Sequence, residues 1–438
     1  MNFNISLVLH STVDVVAYVV LVVLILGIVA LLISRRTHVS YIPILIIFGI
    51  LAGPVFGLID RKLALGMFEY ARVFGLFMIL FAEGYHLWRS LLVKNFTTIA
   101  ILDTLGLLIT ALIAAFAFSM IFHLPFAVGF LFGSIISATD PATLIPLFKQ
   151  HHVDKNIETV IVTESIFNDP LGIVLTSVAL VFVMPQAPSA HIVEQLATYV
   201  TLYPAAIIYF LYQVGMSIFL GVVIAYAGYE GIKKVKLRKS PYVEILAITL
   251  AFGGFVLGEA LNASGFLVAT VIGILLGNYD DFFHDTSPEI SHAIRWHMHF
   301  NDVLAMLGTI FIFILLGASL KLSVITPSIL LYGTILALII VFVARPVATL
   351  LILPKWKWKK TLFIALEGPR GVVPSALAGL PLALGLRYNN PQMIHWGEII
   401  LSATVITVLV TVIIETLWVP FLKKKLLASD GSAKPQKS

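Results

Sequence analysis

The sequence predicts an all-α polytopic membrane protein of about thirteen transmembrane helices in two inverted repeats, each with one broken helix. Three observations carry this expectation. Apolar residues make up 59% of the chain and charged residues only 12%, far from the balance of a soluble domain. Apolar stretches of about 20 residues, enough to cross roughly 30 Å of hydrocarbon, recur from end to end with short polar or Pro/Gly breaks between them. Two stretches are interrupted at matching places, Ser137-Ala138-Thr139-Asp140-Pro141 and Glu367-Gly368-Pro369-Arg370-Gly371.

The first predicted span, Val13–Ser34, follows Met1 to Thr12, which has neither a basic start nor a small-residue cleavage site. It reads as a retained span and not as a signal peptide. Apolar runs of crossing length then predict Tyr41–Ile59, Leu65–Leu87 and Thr97–Phe122. The fifth, Phe126–Phe148, holds the first break, and the sixth, Ile157–Met184, carries a polar cluster at its middle. A long seventh, Ala205–Gly231, leads into the basic run Lys233, Lys234, Lys236, Arg238, Lys239. Val243–Leu261 and Gly265–Gly277 follow. Trp296-His297-Met298-His299 reads as an interfacial amphipathic segment before the tenth span, Val303–Leu320. Ile329–Leu353 contains Arg345-Pro346, Leu362–Leu384 contains the second break, and Glu398–Phe421 is last. Lys423 to Ser438 reads as a polar, floppy tail.

Lys and Arg set the expected orientation. Loops after odd-numbered spans hold Arg35, Arg36, Arg89, Lys94, Lys149, Lys155, the 233–239 run, Lys355, Lys357, Lys359, Lys360 and Lys423 to Lys425. Loops after even-numbered spans hold little beyond Arg61, Lys62, Lys321 and Arg387. A multi-pass protein of the plasma membrane is expected, N-terminus outside and C-terminus cytoplasmic. The same placement explains the formal charge of +5 by lipid headgroups and topology, with no nucleic-acid partner. Cysteine is absent, which excludes disulfides, thiolate metal sites and cysteine nucleophiles.

An intramembrane charge needs a partner or a function. In Thr163-Glu164-Ser165-Ile166-Phe167-Asn168-Asp169-Pro170, helical spacing puts Ser165 and Asp169 on one face and Glu164 and Asn168 on the adjacent row. Pro170 lacks an N–H and leaves the Ile166 carbonyl without its helical partner. A carboxylate, a hydroxyl and a loose carbonyl within about a turn suit a hard cation. Pro141 is expected to push Asp140 out of helical geometry and to start a second half-helix that Asp140 caps. The carbonyls ending the first half, Thr139 included, become available as ligands. Cation coordination and capping both remain open for Asp140. Glu83 either reaches the site from a facing helix or snorkels to the interface.

Arg345 and Arg370 are the deep basic residues, and a permanent guanidinium in the core demands a carboxylate. Glu164 is the candidate partner of Arg345, and Arg370 is expected to offset the carbonyl end of its own break. Arg72 is placed near its helix flank with Glu69. Asp14, Asp103, Glu244, Glu259, Asp302, Glu398 and Glu415 fall near predicted span ends and read as flank residues. No lysine lies deep in any span, so no basic side chain is available to carry a transported proton.

The Ser137 to Pro141, Glu164 to Asp169 and Gly368 to Gly371 motifs together resemble the NhaP/NHE branch of monovalent cation/proton antiporters, through nearly the whole chain. The resemblance implies that the two broken helices cross, in a thirteen-helix homodimer with a core moving against a dimer domain. It places dimer-domain helices in 1–94 and 241–325, core helices in 95–184 and 326–424, a linker helix in 185–240 and a tail in 425–438. It implies Na⁺ bound at Asp169, Asp140, Ser165, Thr139 and Glu83, with Asn168 beside them and Glu164–Arg345 as a structural ion pair. Asn168, where electrogenic relatives carry a second Asp, resembles the electroneutral branch. The expected function is exchange of Na⁺ or Li⁺ for H⁺ with no cofactor and no enzymatic step. K⁺/H⁺ exchange on the same fold is the first alternative. A cation channel and an intramembrane aspartyl protease using Asp140 and Asp169 are the alternatives of other classes.

Overall fold

The computed structural model describes residues 12–37, 39–87, 89–140, 144–235, 242–283 and 288–427. In chain order its helices are α1 (Thr12–Thr37), α2 (Tyr41–Ile50), α3 (Arg61–His86), α4 (Arg89–Ile101), α5 (Leu107–Phe122), α6 (Phe126–Ser137) and α7 (Ile145–Gln150). They continue as α8 (Lys155–Val181), α9 (Pro188–Ala197), α10 (Leu202–Val235), α11 (Tyr242–Ala260), α12 (Gly265–Gly277), α13 (Tyr279–Phe283) and α14 (Pro288–Ala318). Then come α15 (Pro327–Ile339), α16 (Arg345–Thr349), α17 (Trp358–Leu366), α18 (Val372–Ala378), α19 (Leu380–Arg387) and α20 (Pro391–Leu422). Among the described residues, 8 helical stretches are long and apolar enough to cross a bilayer, with shorter apolar helices between them. The protein is all-helical and polytopic.

Burial separates the lipid-facing elements from the interior ones. In the apolar windows of α1 and α10, 22% of residues are buried within the chain, against 83% in α8. Helix α8 is therefore wrapped by protein, and its polar face can be satisfied internally, as a low-dielectric surround requires. Small residues let neighbouring helices touch backbone to backbone. A Cβ on Gly133 of α6 would lie 2.1 Å from the Ala111 carbonyl oxygen of α5, and one on Gly273 of α12 would lie 2.3 Å from that of Phe81 in α3.

Several expectations change. Span ten begins at Pro288 and carries the backbone of Trp296 to His299 inside α14 instead of as a separate interfacial piece. No proline interrupts that stretch, so the helix simply continues. Helix α9, with Pro188 at its first turn, was not foreseen between spans six and seven. The tail's start, Lys423–Leu427, continues α20 as one π-helical turn. Residues 428–438, the rest of the tail, lie outside the described residues, as do Lys236, Arg238, Lys239 and Pro141.

Spans two, four and eleven each carry a π-helical turn, at Leu51–Val55, Leu102–Gly106 and Ile340–Ala344. Such turns insert one extra residue and redirect the side chains around them. The second contains Asp103, and the third ends directly before Arg345. Both breaks are present as well. Residues 138–140 after α6 and 367–371 between α17 and α18 are non-helical, and they meet where the Asp140 amide donates to the Pro369 carbonyl at 2.7 Å.

Candidate cation site

The two breaks exchange their terminal charges. A broken helix exposes unpaired carbonyls at the end of its first half and unpaired N–H groups at the start of its second. Arg370 of the second break donates from Nη1 to the carbonyls of Ser137 at 2.7 Å and Ala138 at 3.0 Å, which end the first half of the other broken helix. Asp140 of the first break accepts from the Val372 amide at 3.0 Å, the first residue of α18. Each charge thus compensates the partner helix. The sequence reading had Arg370 offset its own break and Asp140 cap its own second half. The structure turns Arg370 to the other break, because the crossing brings together residues about 230 positions apart, while residues 141–143, where the half-helix that Asp140 was expected to cap would start, lie outside the described residues.

The Thr139 backbone is held by α8. Ser165 donates its hydroxyl to the Thr139 carbonyl at 2.7 Å. The Asn168 amide oxygen accepts from the Thr139 N–H at 3.1 Å, and its NH₂ donates to the Thr139 hydroxyl at 2.7 Å. Three hydrogen bonds from one face of α8 therefore fix the irregular segment. Helix α8 itself runs unbroken through Pro170.

Asp169 sits one turn beyond Ser165. It is 2% exposed, and its Oδ1 has no hydrogen-bond partner among the described residues. Its charged neighbours are Glu83, Asp140, Asp103 and Arg370. Glu83, half-buried on α3, also has an unpartnered carboxylate oxygen, Oε2. The sequence-named residues Thr139, Asp140, Ser165, Asn168, Asp169 and Glu83 thus fall in one neighbourhood where the broken helices cross. Carboxylate, hydroxyl and carbonyl oxygens there make a hard-donor set with unused lone pairs, suited to a dehydrated monovalent cation or to a proton.

Glu164 and Arg345 form a buried bidentate pair, Nη2 to Oε2 at 2.6 Å with a second bond from Nη1 to Oε1. The sequence named Glu164 as the partner of Arg345, and the structure supplies the bidentate geometry. Arg72 binds Glu69 at 3.2 Å as expected, but it lies mid-helix and buried, not at a flank.

Sequence reasoning missed three buried acids. Asp103, read as a flank residue, is 3% exposed with both carboxylate oxygens unpartnered among the described residues. Glu415, also read as a flank residue, is buried and accepts the Gly368 amide at 2.7 Å, closing the second break from α20. Glu367, quoted only as part of that break, is fully buried with both carboxylate oxygens unpartnered among the described residues. Formal position inside an apolar run was the available signal. The π-turn that turns Asp103 inward was not visible in it. Asp302 falls in the middle of α14, because that helix extends back to Pro288, and Glu398 two turns into α20; they pair with His86 at 2.6 Å and Arg61 at 2.7 Å, and the Glu244 side chain lies outside the described residues.

With this geometry in hand, similarity to known proteins is decisive. The family described as sodium/hydrogen exchanger, transmembrane, matches residues 20–425. The Na(+)/H(+) antiporter 1 of Methanocaldococcus jannaschii is 34% identical, covering 94% of this chain and 95% of its own. The K(+)/H(+) antiporter NhaP of Alkalimonas amylolytica is 28% identical over 83% of this chain and 60% of its own. The structure of the sodium proton antiporter MjNhaP1 from Methanocaldococcus jannaschii at pH 8 superposes with a TM-score of 0.80 at 31% identity, covering 93% of this chain and 100% of that one. This chain belongs to the sodium/hydrogen exchanger family, whose members carry monovalent cations and protons across membranes and are not enzymes.

Proposed function

We propose that the protein exchanges Na⁺ or Li⁺ for H⁺ one for one, by alternating access, with cation and proton competing for Asp169. The observation that carries this is a buried Asp169 oxygen without a partner among the described residues, in the same neighbourhood as the oxygens of Thr139, Asp140, Ser165 and Glu83. An empty site is a bare carboxylate, and moving it through hydrocarbon costs about 2.5–3.5 kcal/mol even on translocon-type scales. At about 1.4 kcal/mol per tenfold, empty transit slows roughly a hundredfold or more, whereas the cation-loaded and proton-loaded forms escape the cost. That asymmetry couples the two fluxes. Glu164–Arg345 and the Arg370 and Asp140 contacts compensate charge at the crossing, and Asp169 is the group that changes passenger.

The reading includes thirteen spans in two inverted halves, with α4 to α8 and α15 to α20 as a core moving against α1 to α3 and α11 to α14 in a homodimer. It also has the C-terminus in the cytoplasm, a choice supported by the excess of Lys and Arg in the loops after odd-numbered spans. K⁺/H⁺ exchange is the second reading, favoured by the similarity to a K(+)/H(+) antiporter.

Proteoliposomes carrying a lumenal pH dye test it. Adding Na⁺, Li⁺ or K⁺ separately should change lumenal pH with at least one ion, and Asp169→Asn should abolish the response. Flux surviving that substitution rejects the site; no response to any alkali ion rejects the exchange. Holding the membrane at different potentials should leave the rate unchanged, and a rate that follows voltage rejects one-for-one exchange.

A further inference from the structure

A second polar recess lies on the far side of Asp169 from Glu83. Helix α12 has 13 residues and is about 20 Å long. Its C-terminal end is level with that of α3, because Asn278 donates to the Leu87 carbonyl at 2.6 Å. Arg72 stands 14 residues before His86, about 21 Å up α3 and hence level with Ser264 at the start of α12. Helix α3 continues about 16 Å further, to Arg61. The α11–α12 hairpin therefore stops short of the membrane face that α3 reaches, and a recess opens above it.

That recess is a cavity of about 230 Å³. At about 30 Å³ per water it has room for roughly seven, enough for a partly hydrated alkali ion. Its polar wall is Arg72, Ser177, Gln213 and Glu259, and its apolar residues include Ile173, Phe266 and Leu377. Ile173 lies one helical turn from Asp169 on α8, about 6 Å along the axis. The polar wall carries an imbalance. Glu259 on the wall and Glu69, which pairs with Arg72 from outside the lining, are two carboxylates against the single guanidinium of Arg72, and Glu69 Oε1 and Arg72 Nε are buried without partners among the described residues. Glu259 is exposed to the recess and accepts the Gly265 amide at 3.0 Å. A carboxylate kept at this depth faces water, not lipid.

We propose that this recess is a second cation-holding site, in which Glu259 binds an alkali ion before it reaches Asp169 from the Arg61 side. Arg72, bound to Glu69 and lining the same recess as Glu259, is the tethered cation there when no ion is present. Ile173, Phe266 and Leu377 form the apolar seal between the two sites. The inference rests on the exchange reading above and adds sidedness to it: ions arriving from the Glu83 side do not pass Glu259.

The test is one-sided kinetics in proteoliposomes whose protein orientation has been established, with Na⁺ varied on one face at a time. Glu259→Gln should raise the KM for Na⁺ on the Arg61 face about tenfold, the lower range of electrostatic concentration in a charged cleft, with kcat and the opposite-face KM unchanged. Arg72→Gln should lower the KM on the Arg61 face. A shift equal on both faces, or no shift, overturns the proposal, since a merely structural role gives symmetric loss. Should Glu259→Gln fail to fold, Arg72→Gln decides alone, with an unchanged KM as the contrary result. A native protein without Na⁺-driven proton flux from either face removes the exchange reading itself, a failure distinct from a symmetric shift in an active one.

Discussion

Glu164 and Arg345 show what a single buried charge demands. Both lie in dry surroundings, and each satisfies the other through two hydrogen bonds. Removing one partner leaves an uncompensated ion, at a cost of about 3–5 kcal/mol, whereas replacing both with apolar residues of similar volume is often close to neutral. Glu164→Gln should therefore lower the unfolding temperature in detergent markedly, and Glu164→Leu combined with Arg345→Met should recover most of the loss. Asp169→Asn, by contrast, should remove exchange while leaving unfolding within a few degrees of the native protein, because Oδ1 has no partner to lose among the described residues. Most individual site residues were legible in the sequence for one reason: Asp140, Glu164, Ser165, Asn168, Asp169 and Arg370 are polar residues deep inside apolar runs. Asp103 and Glu415 were not, because each lies within about two turns of a predicted span end, where depth is undetermined until the neighbouring helices are placed.

Helix ends and breaks set the next scale. Asp154 caps α8, accepting the Asn156 amide at 2.8 Å and the Lys360 ammonium at 2.6 Å. Partial burial pushes its carboxyl up, but the Lys360 and Asn156 hydrogen bonds outweigh this and hold it below the ordinary value. A carboxyl depressed in the folded state adds stability above its unfolded pKa and loses it as pH falls through the folded one. Asp154→Ala should cost about 1 kcal/mol near neutral pH, and the difference from the native protein should fade below about pH 4. Thermal melts of both across pH measure this. At the crossing, a Cβ on Gly371 would stand 1.9 Å from Asp140 Oδ2. Gly371→Ala should displace Asp140 from the α18 N-terminus and weaken cation binding at least tenfold in equilibrium ²²Na⁺ binding. The existence of both breaks was readable from Pro and Gly within apolar runs. Their reciprocal partners were not, since nothing local records which helix end a charge will face across the crossing.

At the scale of the molecule, hydropathy alone was enough for the all-helical, multi-span class, because a hydrocarbon solvent admits few other solutions. Element limits moved where the pattern was silent, as in the extension of α14 back to Pro288 and the appearance of α9. In the proposed mechanism one carboxylate cluster around Asp169 holds either an alkali cation or a proton. Equilibrium Na⁺ binding to the purified protein as a function of pH reaches this directly, without assumptions about motion or sidedness. Competition predicts that on the acid side the apparent Kd rises tenfold for each unit the pH falls, and that Asp169→Asn removes the dependence along with the binding. A Kd that stays constant across that range, with Na⁺ still bound, would mean that cation and proton occupy separate places.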